Sequence, residues 1–307
     1  MAYVEDYLRS LEEVDLKDYK TQIIRGIPQN PTFNTAAYED IIDNFVTKDG
    51  DTFVATYVKA GTTWTQQIIH SICREGKEGG KYGETVPWLE ACVSSPDKVG
   101  PREAPGWTID TINASTGPRY FKTHANVKDL PRGHAKVKVI VVVRNPKDTV
   151  VSLYHHAKSK PEFGYTGDFA AFLDIFLAGK AENGSWFDHV LEWHTQSQAE
   201  PDSHLFLHYE DMYDNLEPVI RKIANFIDKP ISDEIVTKVL KASSISEMKQ
   251  KSSIGLNHLR QGGYGNWRDY FTVRMSETFD DIYRHKMKDS TLKFNFGKSA
   301  NGEKVVF

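Results

Sequence analysis

Apolar residues in this chain follow two rhythms, short β-branched runs and longer stretches with helical spacing. The clearest run, Lys136-Val137-Lys138-Val139-Ile140-Val141-Val142-Val143, predicts a central strand covered on both faces, because its apolar character is continuous rather than alternating. Strands are predicted over Phe53 to Tyr57, Tyr120 to Thr123, Val137 to Val143 and His204 to His208. Helical periodicity covers Lys147 to Lys158, Phe169 to Leu177, Trp186 to Gln198, Leu216 to Ile227, Asp233 to Ala242 and Ser276 to Lys286. A further helix is predicted from Trp64 to Cys73, with Ile68, Ile69 and Ile72 on its apolar side. Strands alternating with helices of this length imply βαβ units, hence an α/β fold: one domain over 1–307 with a central, mainly parallel sheet flanked by helices. The ends, about 1–15 and 298–307, are expected to be flexible. Glu75 to Gly83 and Cys92 to Gly117 read as loops, and glycine-rich Lys251 to Asn266 is a further flexible candidate.

Composition narrows the function classes. The 307 residues, 39% hydrophobic and 26% charged, are ordinary for a globular chain, which argues against disorder and against a membrane span. The first residues, Met1-Ala2-Tyr3-Val4-Glu5-Asp6, lack the basic and apolar segments of a signal peptide, so a cytoplasmic location is expected. The two cysteines, Cys73 and Cys92, have no C-x-x-C neighbour suggesting zinc or redox work. A net charge of −4 gives no global attraction for nucleic acid, so any positive charge that binds an anion must be gathered locally.

Such a gathering is visible just past the predicted strands. In Thr56-Tyr57-Val58-Lys59-Ala60-Gly61-Thr62-Thr63-Trp64, a glycine at the strand-to-helix turn admits close backbone approach. Thr62 and Thr63 offer donors at the helix N-terminus, and Lys59 offers a cation. This P-loop-like layout suits phosphate or sulfate, although the lysine precedes a single glycine instead of following a second one, which argues against an ordinary ATPase. An ordinary capped helix start is the simpler alternative. Arg144 follows the central strand directly, where open α/β sheets bind ligands, and Ser152 lies two turns into the next helix. The plain alternative is a surface ion pair of Arg144 with Asp148 and a solvated Ser152. Arg260, beside glycines, is a third cation of the same type, and the three together fit a ligand with phosphates at two places.

These residues resemble the cytosolic sulfotransferase family, which moves a sulfuryl group from 3′-phosphoadenosine 5′-phosphosulfate (PAPS) to an acceptor. Thr56 to Trp64 is similar to its T-Y-P-K-S-G-T-T-W loop, Arg144 to Ser152 to its R-N-x-K-D-x-x-V-S segment, and Arg260 to Trp267 to its R-K-G-x-x-G-D-W element. Lys122-Thr123-His124 matches its K-T-H, and similarity extends through Pro87 to Glu90, Gly184 to Trp186 and Tyr209 to Met212. The resemblance implies a nucleotide site of Lys59, Ala60, Gly61, Thr62, Thr63, Trp64, Arg144, Ser152, Tyr209, Ser243, Ser244, Ile245, His258, Leu259, Arg260, Gln261 and Gly262. Val58, Ala60 and Gln261 depart from the family's proline, serine and lysine, and Ile245 and His258 replace typical aromatic residues.

Catalysis is expected from His124 as general base, with Lys59 stabilising the departing phosphate and Lys122 the sulfuryl oxygens. No metal is expected. The small-molecule acceptor, a hydroxyl or an amine, is expected against Tyr82, Trp88, His155 and Phe163, with no nucleic-acid or membrane partner. Arg268 to Glu277 is similar to the family's K-x-x-x-T-V-x-x-x-E dimer motif, so a homodimer is expected. Two rivals are a nucleotide kinase, which lacks its Walker lysine here, and a catalytically silent nucleotide-binding module, against which Lys59 and His124 argue.

Overall fold

The computed structural model describes residues 2–94, 109–131, 136–251, 262–298 and 302–307. Along the chain, helix α1 (Ala2–Ser10) is followed by a small hairpin, β1 (Gln22–Ile24) and β2 (Ile27–Gln29), and by α2 (Thr35–Asn44). The strand β3 (Thr52–Thr56) feeds α3 (Thr62–Cys73), after which come α4 (Tyr82–Thr85), α5 (Leu89–Ser94), α6 (Ile109–Ala114) and β4 (Tyr120–Thr123). Then β5 (Lys138–Val143) leads into α7 (Pro146–Ser159), α8 (Phe169–Leu177) and α9 (Trp186–Ala199), and β6 (His204–His208) into α10 (Tyr209–Asp214). The chain continues through α11 (Leu216–Phe226), α12 (Asp233–Ala242), α13 (Ile245–Lys251) and α14 (Val273–Met287) to the pair β7 (Asn295–Lys298) and β8 (Lys304–Val306).

The β-branched run predicted as a central strand lies inside a four-stranded sheet of order β4-β3-β5-β6, with every neighbour parallel. Val139 to Val143 alternate between two cores. Val139, Val141 and Val143 pack with residues of α7, α8, α9 and α14, whereas Ile140 and Val142 pack with residues of α3, α11 and α12. A strand covered on both faces has no polar side to show, which is why its sequence does not alternate. The four predicted strands form within one residue of their expected bounds.

Parallel register puts all four strand ends on one rim. Ala55 is opposite Thr123, Thr56 opposite Val142, and Val143 opposite His208. Lys59, His124, Arg144 and Tyr209 therefore leave the sheet on the same side. The stretch Cys92 to Gly117, expected as a loop, contains the end of α5 and all of α6, while residues 95–108 lie outside the described residues. Both chain ends carry regular structure: Val4 of α1 is buried in the core, and β8 pairs with β7. Among the described residues, no helix is long and apolar enough to cross a membrane.

Candidate active site

The turn after β3 enters α3 through two residues of positive φ. Lys59 adopts φ +70°, a left-handed conformation uncommon for a side-chain-bearing residue, and Gly61 follows at φ +109°. A Cβ on Gly61 would stand 2.8 Å from Tyr209 Cδ2, so only glycine permits the approach. Gly61 is the N-cap of α3 yet supplies no side-chain cap, leaving the helix's first N–H groups without the acceptor that serine or aspartate would bring. The start of α3 therefore lacks the side-chain cap of an ordinary helix start, an arrangement compatible with an anion.

Arg144 and Tyr209 close the neighbouring side. The Arg144 guanidinium sits 4.4 Å from the centre of the Tyr209 ring and donates to the carbonyls of Lys59 (3.2 Å) and Gly263 (3.0 Å). Its Nε is buried with no hydrogen-bond partner among the described residues. Asp148, the partner expected if Arg144 were a surface ion pair, instead accepts from the N–H groups of Gly265 (2.6 Å) and Trp267 (3.2 Å). The Gly262–Trp267 segment is thus pinned beside Arg144. Trp64 packs edge-on against Tyr209 at 5.4 Å and donates Nε1–H to the Ser243 carbonyl at 2.8 Å, while the Ser243 hydroxyl is buried without a partner among the described residues. Gly262, at φ +73°, lies against Ile245 so closely that a Cβ there would overlap Ile245 Cδ1. Ser244 accepts from Glu247 N at 3.3 Å and caps the start of α13, and Ser152 is half-buried on α7. His258, Leu259, Arg260 and Gln261 lie outside the described residues.

On the other side of Lys59, the end of β4 carries the catalytic candidates. His124 is buried, and its Nδ1 stands 2.8 Å from the Thr56 carbonyl, which can only accept. Nδ1 therefore holds the ring proton and Nε2 keeps its lone pair. Thr56 also joins the loop, since its hydroxyl lies 2.6 Å from that of Thr62 and 3.3 Å from Nδ1. Burial, then the Lys122 charge, holds the imidazole well below its ordinary pKa, so it is neutral at physiological pH. Burial with the charges of Lys122 and Arg144 lowers Lys59 to about 8.

Trp88 stands at this centre, edge-on to His124 at 5.3 Å and beneath the Lys122 ammonium at 4.0 Å. Glu90 accepts from the Thr123 hydroxyl and from His124 N, and burial raises its pKa. Other expected pocket residues sit further out in the packing. His155 Nε2 is 2.7 Å from Tyr270 OH, Phe163 is fully buried and stacked on Tyr19 at 5.4 Å, and Tyr82 opens α4. Sequence reasoning gave no role to Thr56, Glu182 or Asn183, and gave Asp148 only the alternative of an ion pair with Arg144. The signal for Asn183 was its turn dipeptide with Gly184; Asn183 takes φ +67° and donates to the His124 carbonyl at 3.3 Å.

Comparison with known proteins gives the family. Residues 49–291 match the Sulfotransferase domain family. Sulfotransferase 1 family member D1 of Mus musculus is 35% identical over 296 residues, covering 88% of this chain and 94% of that protein. Sulfotransferase 1B1 of Mus musculus is 32% identical over 302 residues, covering 92% and 96%. Among solved structures, mouse sulfotransferase SULT7A1 complexed with PAP superposes with a TM-score of 0.75 at 28% identity, covering 88% of this chain and 95% of that one. The loop, the histidine and the arginine thus sit in a chain that belongs to the sulfotransferase family.

Proposed function

We propose that the protein transfers a sulfuryl group in line from PAPS to a hydroxyl or amine of a small molecule, with His124 as general base. The observation that carries this reading is the Thr56 bridge. One residue fixes the tautomer of His124 and touches the threonine that opens the anion-binding helix, so base and donor loop are held as a unit.

The fit to PAPS rests on features with no internal use: the uncapped start of α3, the close approach at Gly61, the unpartnered Arg144 Nε and the unpartnered Ser243 hydroxyl. Lys59, Gly61, Thr62 and Thr63 would hold the 5′-phosphosulfate end, and Trp64, Tyr209 and Ser243 the adenine side. Arg144, Ser152 and the segment around Arg260 and Gly262 would hold the 3′-phosphate. PAP bound to the mouse relative supports the assignment. When bound, PAPS supplies the sulfuryl group and a phosphate leaving group. His124 Nε2 takes the acceptor's proton, Lys59 stabilises charge on the side of the leaving oxygen, and Lys122 stands over Trp88 beside the base. Trp88, packed on His124, forms one wall against which an apolar ring is held, and Tyr82, His155 and Phe163 are assigned outer parts of the acceptor region. The face carrying Arg268 to Glu277 is assigned to a homodimer.

An acceptor screen with PAPS, reading PAP formation, tests the proposal. Turnover with at least one phenol, alcohol or amine is expected. Tight PAP binding with no turnover on any acceptor class would make the chain a silent nucleotide-binding module.

A further inference from the structure

Around the acceptor side of His124, side-chain and backbone contacts close into a ring that includes one poorly satisfied carboxylate. Glu182 Oε1 lies 3.5 Å from Asn30 Nδ2, and the Asn30 carbonyl accepts from Phe33 N at 3.2 Å. Phe33 packs edge-on to Trp88 at 5.5 Å, and Trp88 edge-on to His124 at 5.3 Å. The His124 carbonyl accepts from Asn183 Nδ2 at 3.3 Å, and Asn183 follows Glu182 in the chain, which returns the circuit to its start.

Glu182 is only 3% exposed, and its Oε2 has no hydrogen-bond partner among the described residues; His156 Nε2 stands 3.6 Å away. Glu210 likewise has an Oε2 without a partner among the described residues, but its other oxygen is bonded more closely than that of Glu182. Glu210 takes both the N–H (2.8 Å) and the Nδ2 (3.0 Å) of Asn145, and Glu90 takes Thr123 and His124 N. A structural anchor of the hairpin would hold Asn30 more tightly than one bond at the limit of distance. Burial lifts the Glu182 carboxyl to about 7, against the pull of Asn30, Lys122 and Lys59, whose influence places it within electrostatic reach of both lysines. A buried carboxylate left in this condition is costly unless something outside the chain offsets it.

The geometry points to Glu182 as the residue that selects the acceptor, its free oxygen receiving the ammonium of an amine-bearing phenol or alcohol whose hydroxyl faces His124. This rests on the sulfuryl-transfer reading above. A cation is favoured over a neutral donor because a bound nucleotide's negative charge offsets Lys59 and Lys122. Glu182 then carries a negative charge that the two lysines no longer offset.

Tyramine and 4-ethylphenol share a phenol and a two-carbon chain and differ in a terminal ammonium against a hydrogen, so their kcat/KM ratio reads the Glu182 contact. The full-length protein is expected to favour tyramine on the order of tenfold or more at pH 8, since the site's buried polar group is left unpaired by the methyl. Glu182→Gln keeps an acceptor oxygen for Asn30 and is expected to bring the ratio to within about threefold by lowering the kcat/KM for tyramine. A ratio identical in both proteins, or a native preference for 4-ethylphenol, overturns the assignment. If neither phenol is sulfated although PAP binds, the transfer reading stands or falls on the wider acceptor screen. Saturation-transfer NMR on the PAP-bound protein then decides Glu182: tyramine binding that the Gln variant loses supports it, and no tyramine binding to the native protein refutes it.

Discussion

At the scale of single residues, the Thr56 carbonyl fixes the tautomer of His124, and burial lowers the pKa of Lys59. A buried imidazole has two tautomers, and the Thr56 carbonyl leaves only the one with an open Nε2. His124→Ala is therefore expected to lower turnover by about a hundredfold or more while PAP affinity in calorimetry stays within about threefold. Equal losses in both measurements would refute the base role. Lys59 gives a pH signature. Its folded pKa of about 8 lies below the usual 10.5, because burial and two nearby cations disfavour its charge, and an anion favours that charge again. The free protein loses the proton as pH rises through about 8, whereas the PAP complex keeps it. PAP affinity should be flat below pH 8 and fall by up to about tenfold per pH unit above it, with proton uptake on binding. Calorimetry in buffers of different ionisation heat measures this uptake; a Lys59→Met variant should show none. Val58 and Ala60, at the family's proline and serine positions, are buried, and nothing in the structure explains why they differ.

At the scale of elements, the nucleotide side is assembled by the N-terminus of α7. Asn145 caps that helix by accepting from Asp148 N at 2.9 Å, Glu210 of α10 accepts from Asn145 N, and Asp148 holds the N–H groups of Gly265 and Trp267. Three chain segments meet on three short polar side chains. Asp148→Ala removes a charged acceptor from two backbone donors and should cost about 2–4 kcal/mol in denaturant unfolding. It should also weaken PAP binding, because the Gly263 carbonyl that orients Arg144 belongs to the released segment. Unchanged stability together with unchanged PAP affinity would contradict this. Such a clamp is hard to see in a sequence. Asp148 and Gly265 are 117 positions apart, and an aspartate in a first helical turn already has a sufficient local explanation in the helix dipole. Elements that bury one face or both were legible, since burial imposes periodicity: α8, α9, α11 and α12 fall close to their predicted bounds. The hairpin β1–β2 and the pair β7–β8 have strands of three or four residues, too short for a pattern, and α6 hides in a stretch rich in glycine and proline.

At the scale of the whole molecule, an exposed valine and a cavity lie side by side where the dimer motif was expected. Thr272 caps α14 by accepting from Met275 N at 3.2 Å, which leaves Val273 on the first turn pointing outward at 77% exposure. Beside it is a cavity of about 230 Å³ lined by Trp267, Arg268, Phe271, Thr272, Val273, Ser276 and Glu277. An apolar knob next to an apolar cavity with one basic and one acidic residue on its rim is what a two-fold contact needs, since each copy then offers both halves. Burying one valine side chain stabilises by roughly 1.5 kcal/mol, and the symmetry doubles it. The full-length protein should scatter as about twice its 34.9 kDa at micromolar concentration. Val273→Glu would place two like charges at the axis and should halve that mass, without loss of the folded monomer because the side chain packs against nothing within its own chain that needs it. Native protein that runs as a monomer, or a Val273→Glu variant that stays dimeric, would remove this face as the interface. PAP titrations of the two proteins then separate assembly from catalysis, because the nucleotide side, built on α3, α7 and α10, should bind alike in both.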